Sequence, residues 1–424
     1  MINIKKVCMY IILFVLLFQE SIQRIVPVNA IDMFDELIVL FFTVVAFINV
    51  IKNRTLNKTV LILIILFICF FAVGTVSLYI NSSHTFSQYI ASAFLATKCF
   101  LLIIDICIIG FNEDTKTMFI KAINFIGILC VIVGILNFIF PNLYMKIFKF
   151  GILTYRFGFV SVTSLFYHPG RFGWFMLFLS IMNYTLYKKS GASKNKKLFI
   201  LFAICSLFSF RTKVIISIII LLLFNLIISK KIEAKKIIFT IFFGLVIFLS
   251  FNKVIMNTYY LYFDDSNTNI SARQSLTDNS YKIVKDFFPL GVGFGKYGSW
   301  YARKYYSEYY YRYNMSFIYG LNPEDPFFAT DVFWGSILGE TGFLGTIFYI
   351  LFLFYIYINL KHNLKKYNFS EIVGIYFGFL VFIQSVVESF GEQSFNSPPQ
   401  YIFLGFIVGT ALNESINLSK RGEN

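Results

Sequence analysis

The chain has 424 residues, of which 58% are hydrophobic, 20% aromatic and only 14% charged, a balance that excludes an ordinary water-soluble domain. Its formal net charge of +15 does not by itself indicate nucleic acid, because 20 of the 37 basic residues fall in alternate loops where they set membrane topology. The six cysteines all sit in apolar runs, which excludes a disulfide framework and leaves no metal-ligand spacing.

Apolar runs approaching the ~20 residues that a membrane helix needs recur along nearly the whole chain. The predicted spans are 7–19, 35–51, 59–80, 88–111, 117–140 and 172–187 in the first half, then 198–210, 214–228, 237–251, 334–359, 372–387 and 401–412. The predicted fold class is therefore all-α: a polytopic transmembrane bundle of about 12 spans in a single membrane domain, 1–424. Several runs are short, so one pair can be re-entrant instead of spanning. Lys5 and Lys6 before an apolar run resemble a signal sequence. No small-residue cleavage site follows at Phe18-Gln19-Glu20-Ser21, and the run is read as a retained first span.

Orientation follows from the lysines. Every second loop is basic, from Lys52, Arg54 and Lys58 through Lys188 and Lys189 to Lys420 and Arg421, so both termini are expected in the cytoplasm. Arginine runs the other way. Arg24, Arg156, Arg171, Arg211, Arg273, Arg303 and Arg312 are seven of the nine arginines and all fall in loops assigned to the outside. A guanidinium grips phosphate in bidentate fashion and keeps its charge, so this bias points to an anionic ligand on that side. Surface solubility in long external loops is the plainer alternative.

Two outer segments are long, 141–171 and 252–329. The second is expected to form a partly helical loop or lid between spans nine and ten, with a helix over 272–288. Within it, 301–313 holds seven tyrosines in thirteen residues, suited to a membrane-interface belt or to sugar rings. Gly291-Val292-Gly293-Phe294-Gly295 looks like a dinucleotide fingerprint but lacks a strand–turn–helix setting, and is read as a turn. Lys98 and Asp105 share one face of a span and are expected to form a charge pair inside the bundle, with a coupling site as the alternative.

The stretch 330–345 is the most informative. It places Asp331 and Glu340 where the long polar loop meets a hydrophobic span, and acids at such a boundary serve chemistry or a partner charge. Taken in order, the chain gives Tyr155-Arg156-Phe157-Gly158, Tyr167-His168-Pro169-Gly170-Arg171, Ser209-Phe210-Arg211-Thr212, Ser271-Ala272-Arg273, the 288–295 glycine segment and then Asp331 to Gly345. This succession resembles the O-antigen polymerase and O-antigen ligase superfamily, which includes capsule and exopolysaccharide repeat-unit polymerases. The resemblance covers about 155–354.

It implies a metal-independent, lipid-linked glycosyltransferase of the bacterial cytoplasmic membrane, without a cofactor. An undecaprenyl-diphosphate-linked saccharide would donate its glycan to an acceptor hydroxyl at the outer face. The implied partners are those lipid-linked oligosaccharides, membrane lipid and other polysaccharide-assembly proteins. Ligases of the family carry His nine residues before the Glu of the Glu-x-Gly element. Here that position is Asp331, a departure more at home among polymerases.

The residues suit such roles on chemical grounds. Charge grows on a diphosphate as it leaves, and fixed guanidinium groups stabilise it; Arg211 and Arg273 are the first candidates, with Arg156, Arg171 and Lys213 assisting. Asp331 is the candidate base for the acceptor hydroxyl, or a helix cap. Glu340, about 13 Å further along a helix, is read as a structural partner, with substrate binding as the second reading. His168 before Pro169-Gly170 is a turn residue at the mouth of the site, with general base as the alternative. A transporter or flippase of lipid-linked saccharide is the rival function, although no mirrored halves are visible; a non-enzymatic assembly scaffold is a third.

Overall fold

In a computed structural model, residues 4–54, 56–81, 86–151, 153–156, 158–228 and 271–421 are described. The first half is a succession of helices: α1 (Ile4–Ile25), α2 (Asn29–Asp32), α3 (Phe34–Asn53), α4 (Lys58–Asn81), α5 (Phe86–Ile109), α6 (Glu113–Ile139) and α7 (Pro141–Ile147). A two-residue hairpin follows, β1 (Tyr155–Arg156) antiparallel to β2 (Phe159–Val160), then α8 (Pro169–Ser190), α9 (Ser193–Leu207) and α10 (Thr212–Ile228). The remaining helices are α11 (Ala272–Asp286), α12 (Trp300–Lys304), α13 (Glu308–Arg312), α14 (Phe333–Lys366), α15 (Val373–Glu388) and α16 (Gln400–Arg421).

Seven described helices are long and apolar enough to cross a membrane: Val7–Ile25, Phe34–Asn53, Lys58–Asn81, Gln88–Ile109, Glu113–Ile139, Phe333–Leu364 and Gln400–Lys420. The expected count of about 12 is not reached among the described residues. Four predicted spans do form helices but fall short for identifiable reasons. Helix α8 carries Arg171, Lys188 and Lys189, while α9, α10 and α15 have only 15, 17 and 16 residues. The predicted span 237–251 lies outside the described residues, as does 252–270 of the long loop.

Burial sorts the helices into an inner and an outer set. Helix α8 buries Trp174, Phe175 and Phe178, and the last of these meets Phe403 of α16 edge-on at 5.5 Å. By contrast α3 exposes Phe41, Val44, Phe47, Ile48 and Ile51, an apolar stripe of the kind that faces lipid.

The expected Lys98–Asp105 pair does not form. Lys98 Nζ lies 2.8 Å from Asp35 Oδ2 and 2.6 Å from Glu36 Oε1, both on α3. Asp35 also accepts from the Tyr401 hydroxyl and from Gln19 Nε2, each at 2.7 Å, whereas Asp105 accepts from Thr43 Oγ1 at 2.6 Å. Seven residues separate Lys98 and Asp105 by about 10 Å along one helix, and the α3 carboxylates are simply nearer. Replacing Lys98 by Met strands two carboxylates in the bundle and is expected to cost about 3–5 kcal/mol. Thermal unfolding in detergent checks this. Adding Asp35→Asn should then recover part of the loss, and strictly additive losses would show that the two groups are not coupled.

The 271–332 region folds as a polar subdomain with its own small core of Leu276, Ile283, Tyr297, Tyr310 and Leu321. Helix α11 coincides with the expected helix, capped by the Ser271 hydroxyl accepting from Gln274 N–H. Four of the seven tyrosines have structural partners. Tyr306, Tyr309 and Tyr313 spend their hydroxyls on Leu321 O, Asn81 O and Asp286 Oδ2, and Tyr310 accepts from Gly298 N–H, so they tie the subdomain together. Tyr305 and Tyr311 remain exposed.

The glycine segment is more than a turn. It runs between α4, α5 and α14, where Val292 N–H and Gly293 N–H donate to Gly339 O and Glu340 O at 2.9 and 2.7 Å. Phe294 is thereby buried against Phe70 and Phe71. Helix α14 breaks at Gly342, whose φ of 67° and ψ of −164° are open only to glycine.

Candidate functional site

Three chain corners meet at one end of the bundle. The first is the hairpin, held in place because Asn137 Oδ1 accepts from Thr163 N–H at 2.8 Å and the Tyr144 hydroxyl donates to Ser164 O at 2.5 Å. It presents Arg156, whose Nη1 donates to Phe210 O at 3.1 Å. The second is the tight corner between α9 and α10, where Phe210 adopts a left-handed φ of 48° and delivers Arg211 and Lys213. Arg211 Nη2 lies 3.5 Å from Thr154 Oγ1, beside the hairpin. The third is the start of α8, which brings His168 and Arg171. A Cβ added at Gly170 would stand 3.0 Å from Lys213 Nζ, so the two corners approach closely and a larger residue there would push the lysine aside.

Facing these cations are two carboxylates that the sequence reading did not single out. Glu392 accepts from Lys213 Nζ and from Gln400 Nε2, and Lys213 Nζ is 3.9 Å from Glu388 Oε2. Gln400 also bonds Arg171 through its carbonyl oxygen and Glu388 Oε2 through its amide, the latter at 3.0 Å. Burial opposes ionisation of Glu392, but Lys213 and Arg171 overcome it and hold the carboxyl well below the usual range. The only available signal was the spacing Glu388-Ser-Phe-Gly-Glu392, two acids four residues apart at the end of an otherwise apolar helix.

Arg273 and Asp331 meet directly. Arg273 Nε and Nη2 both donate to Asp331 Oδ2, at 3.1 and 3.0 Å. Asp331 does not cap α14: the residue before that helix is Val332, with no side-chain capping bond. Segment 388–400 links this pair to the first cluster, since Trp334 Nε1 donates to Ser389 Oγ at 3.0 Å and Gln393 Nε2 to Gly298 O at 2.7 Å.

Residues 198–350 match the family model for O-antigen ligase. The match makes this part of the chain similar to that family. This supports its place in the O-antigen polymerase and ligase superfamily, a family of glycan transferases. The matched stretch holds Arg211, Lys213, Arg273, Asp331 and Glu340, while Arg156, His168 and Arg171 precede it. A comparison with curated proteins returned no match.

Glu340 of the family domain lies apart from the cations. It is buried, and its Oε1 accepts from Gly295 N–H at 2.9 Å and Tyr297 N–H at 3.2 Å, which pins the glycine segment to α14.

His168 is the N-cap of α8, its Nδ1 accepting from Gly170 N–H at 3.1 Å. The ring keeps solvent access at the mouth of the cleft, yet partial desolvation by the surrounding protein, together with Arg211, Lys213 and Arg171, lowers its pKa from the ordinary value. It therefore stays neutral where an unperturbed histidine would titrate. His168→Ala is expected to cost the cap, at most about 1 kcal/mol. The pH dependence of chain growth between about pH 5 and 8 should keep its shape. An inflection present in the wild type and absent from the variant would make His168 a proton-transfer group instead.

Proposed function

We propose that the chain is a polysaccharide repeat-unit polymerase that moves a glycan from an undecaprenyl-diphosphate-linked donor to a hydroxyl of a second lipid-linked repeat unit. In this reading both termini are cytoplasmic, the arginine-bearing end faces outward, and the 252–329 region is the lid. The observation that carries it is the Arg273–Asp331 pair inside the O-antigen ligase match, linked through segment 388–400 to the cluster of Arg156, Arg171, Arg211 and Lys213.

The geometry suggests an order of events. Asp331 pairs with Arg273, and Glu392 with Lys213. A diphosphate offers more negative charge and more acceptor oxygens than either carboxylate, so it displaces both. Arg211 and Arg273 then stabilise the charge that grows as the anomeric carbon–oxygen bond breaks. Asp331, released from its guanidinium, accepts the proton of the attacking hydroxyl. No metal is required for these steps, because fixed cations supply the charge. Asp331 at the position where ligases of the family carry His favours polymerisation over transfer to a lipopolysaccharide core.

The test is reconstitution of the full chain in proteoliposomes with lipid-linked repeat units and gel analysis of product length. A ladder is expected. Its absence, in a preparation that moves the same lipid across the bilayer, would replace the polymerase reading by the transporter one.

A further inference from the structure

At the other end of the bundle from the arginine cluster, α1, α3, α6, α8, α15 and α16 line a partly open cavity of about 990 Å³. This volume is at the top of the range of small-molecule sites, about 300–1,000 Å³. Its walls are apolar and include Ile12 and Leu13 of α1, Ile38 and Phe42 of α3, and Phe406 and Ile407 of α16. Polar residues gather at one rim: Glu113 and Lys116 of α6, Lys189 of α8, Glu371, and Glu414 of α16.

Helix geometry places that rim. Arg171 and Lys189 lie eighteen residues apart on α8, about 27 Å, so they stand near opposite faces of a hydrocarbon layer about 30 Å thick. The cavity runs from Asn417 at its rim to Phe406 at its inner end, eleven residues or about 16 Å along α16. That depth is one leaflet. The apolar part of its wall offers water few hydrogen bonds, and leaving it uncovered would forfeit the dispersion contacts of its residues.

We infer that this cavity is a binding site for one membrane phospholipid, with the acyl chains between α1, α3 and α16 and a zwitterionic, amine-bearing headgroup at the rim. The rim charges select the headgroup. Lys116 is already held by Glu113 at 2.7 Å and Glu414 at 2.5 Å, and with Lys189 and Glu371 the rim has three carboxylates against two ammonium groups. A phosphate alone meets a surplus of negative charge there, whereas a headgroup that adds an ammonium is matched on both signs. The site is independent of the glycan-transfer reading.

Native mass spectrometry of the full chain, exchanged between vesicles of phosphatidylethanolamine and of phosphatidylglycerol, tests it. One retained phosphatidylethanolamine per chain is expected in preference to phosphatidylglycerol. Thr410→Trp fills the cavity from α16 and Ile12→Trp from α1, and each monodisperse variant should lose the retained lipid. Glu371→Lys should reverse the headgroup preference. A wild-type chain that retains no lipid in fixed ratio, variants that retain it unchanged, or a headgroup preference that Glu371→Lys leaves alone would each overturn the inference.

Discussion

Chain growth by an Arg273→Lys variant is expected to fall by about 10²–10³-fold, the loss typical of removing one preorganised donor to a developing charge. Arg273 places two N–H donors on a single oxygen of Asp331, and the same fork can straddle a phosphate. Lysine keeps the charge but offers a point, not a fork. Arg211→Lys should lose activity for the same reason. Asp331→Asn keeps the shape, removes the base, and should cost about 10²–10⁴-fold. If the two groups act as one unit, the Arg273→Lys, Asp331→Asn double variant is hardly worse than the poorer single. Stability separates catalysis from folding here, because both side chains are about a third exposed and such a pair contributes only about 0–1 kcal/mol. Unchanged melting with lost chain growth is the expected combination. Wild-type product length in both lysine variants would reduce the arginines to anchors.

What could be read from the sequence follows from which contacts are local. Apolar runs announce helices because the period lies within each segment, and eleven of the predicted spans coincide with described helices. The arginine bias was visible because chemistry of one type repeats on alternate loops, and Arg156, Arg171 and Arg211 do gather at one end of the bundle. Pairings across helices left no such trace. Lys98 chose Asp35 and Glu36, more than sixty residues away, over Asp105 on its own helix. Glu392 lies in a short loop without lysine or arginine, yet it meets Lys213 from the far end of the chain. Asp331 looked equally suited to capping and to serving as a base, and only the fold brings Arg273 to it across 58 positions.

Glycine 342 gives the largest expected effect on stability. Its backbone lies in a region closed to other residues, and a Cβ there would come within 2.1 Å of the Leu290 carbonyl carbon. Gly342→Ala therefore has to move either α14 or the glycine segment, and the loss is expected to reach about 4 kcal/mol or more. Glu340 tests the same joint from the other side. Glu340→Ala removes the acceptor of Gly295 N–H and Tyr297 N–H, and each buried unsatisfied donor costs about 1–3 kcal/mol. Glu340→Gln keeps an oxygen in place and should unfold much closer to the wild type. Melting temperatures in detergent, measured beside chain growth, decide the role of the residue. A Glu340→Gln protein that is stable but inactive would mean that the carboxylate meets substrate, whereas activity that follows stability through all three variants makes the joint a hinge pin between the lid and the bundle. The second outcome is expected, because the hydrogen bonds of the Glu340 carboxyl go to Gly295, Lys296, Tyr297 and Ser299, all in or beside the segment that enters the bundle, and none goes to the arginine cluster.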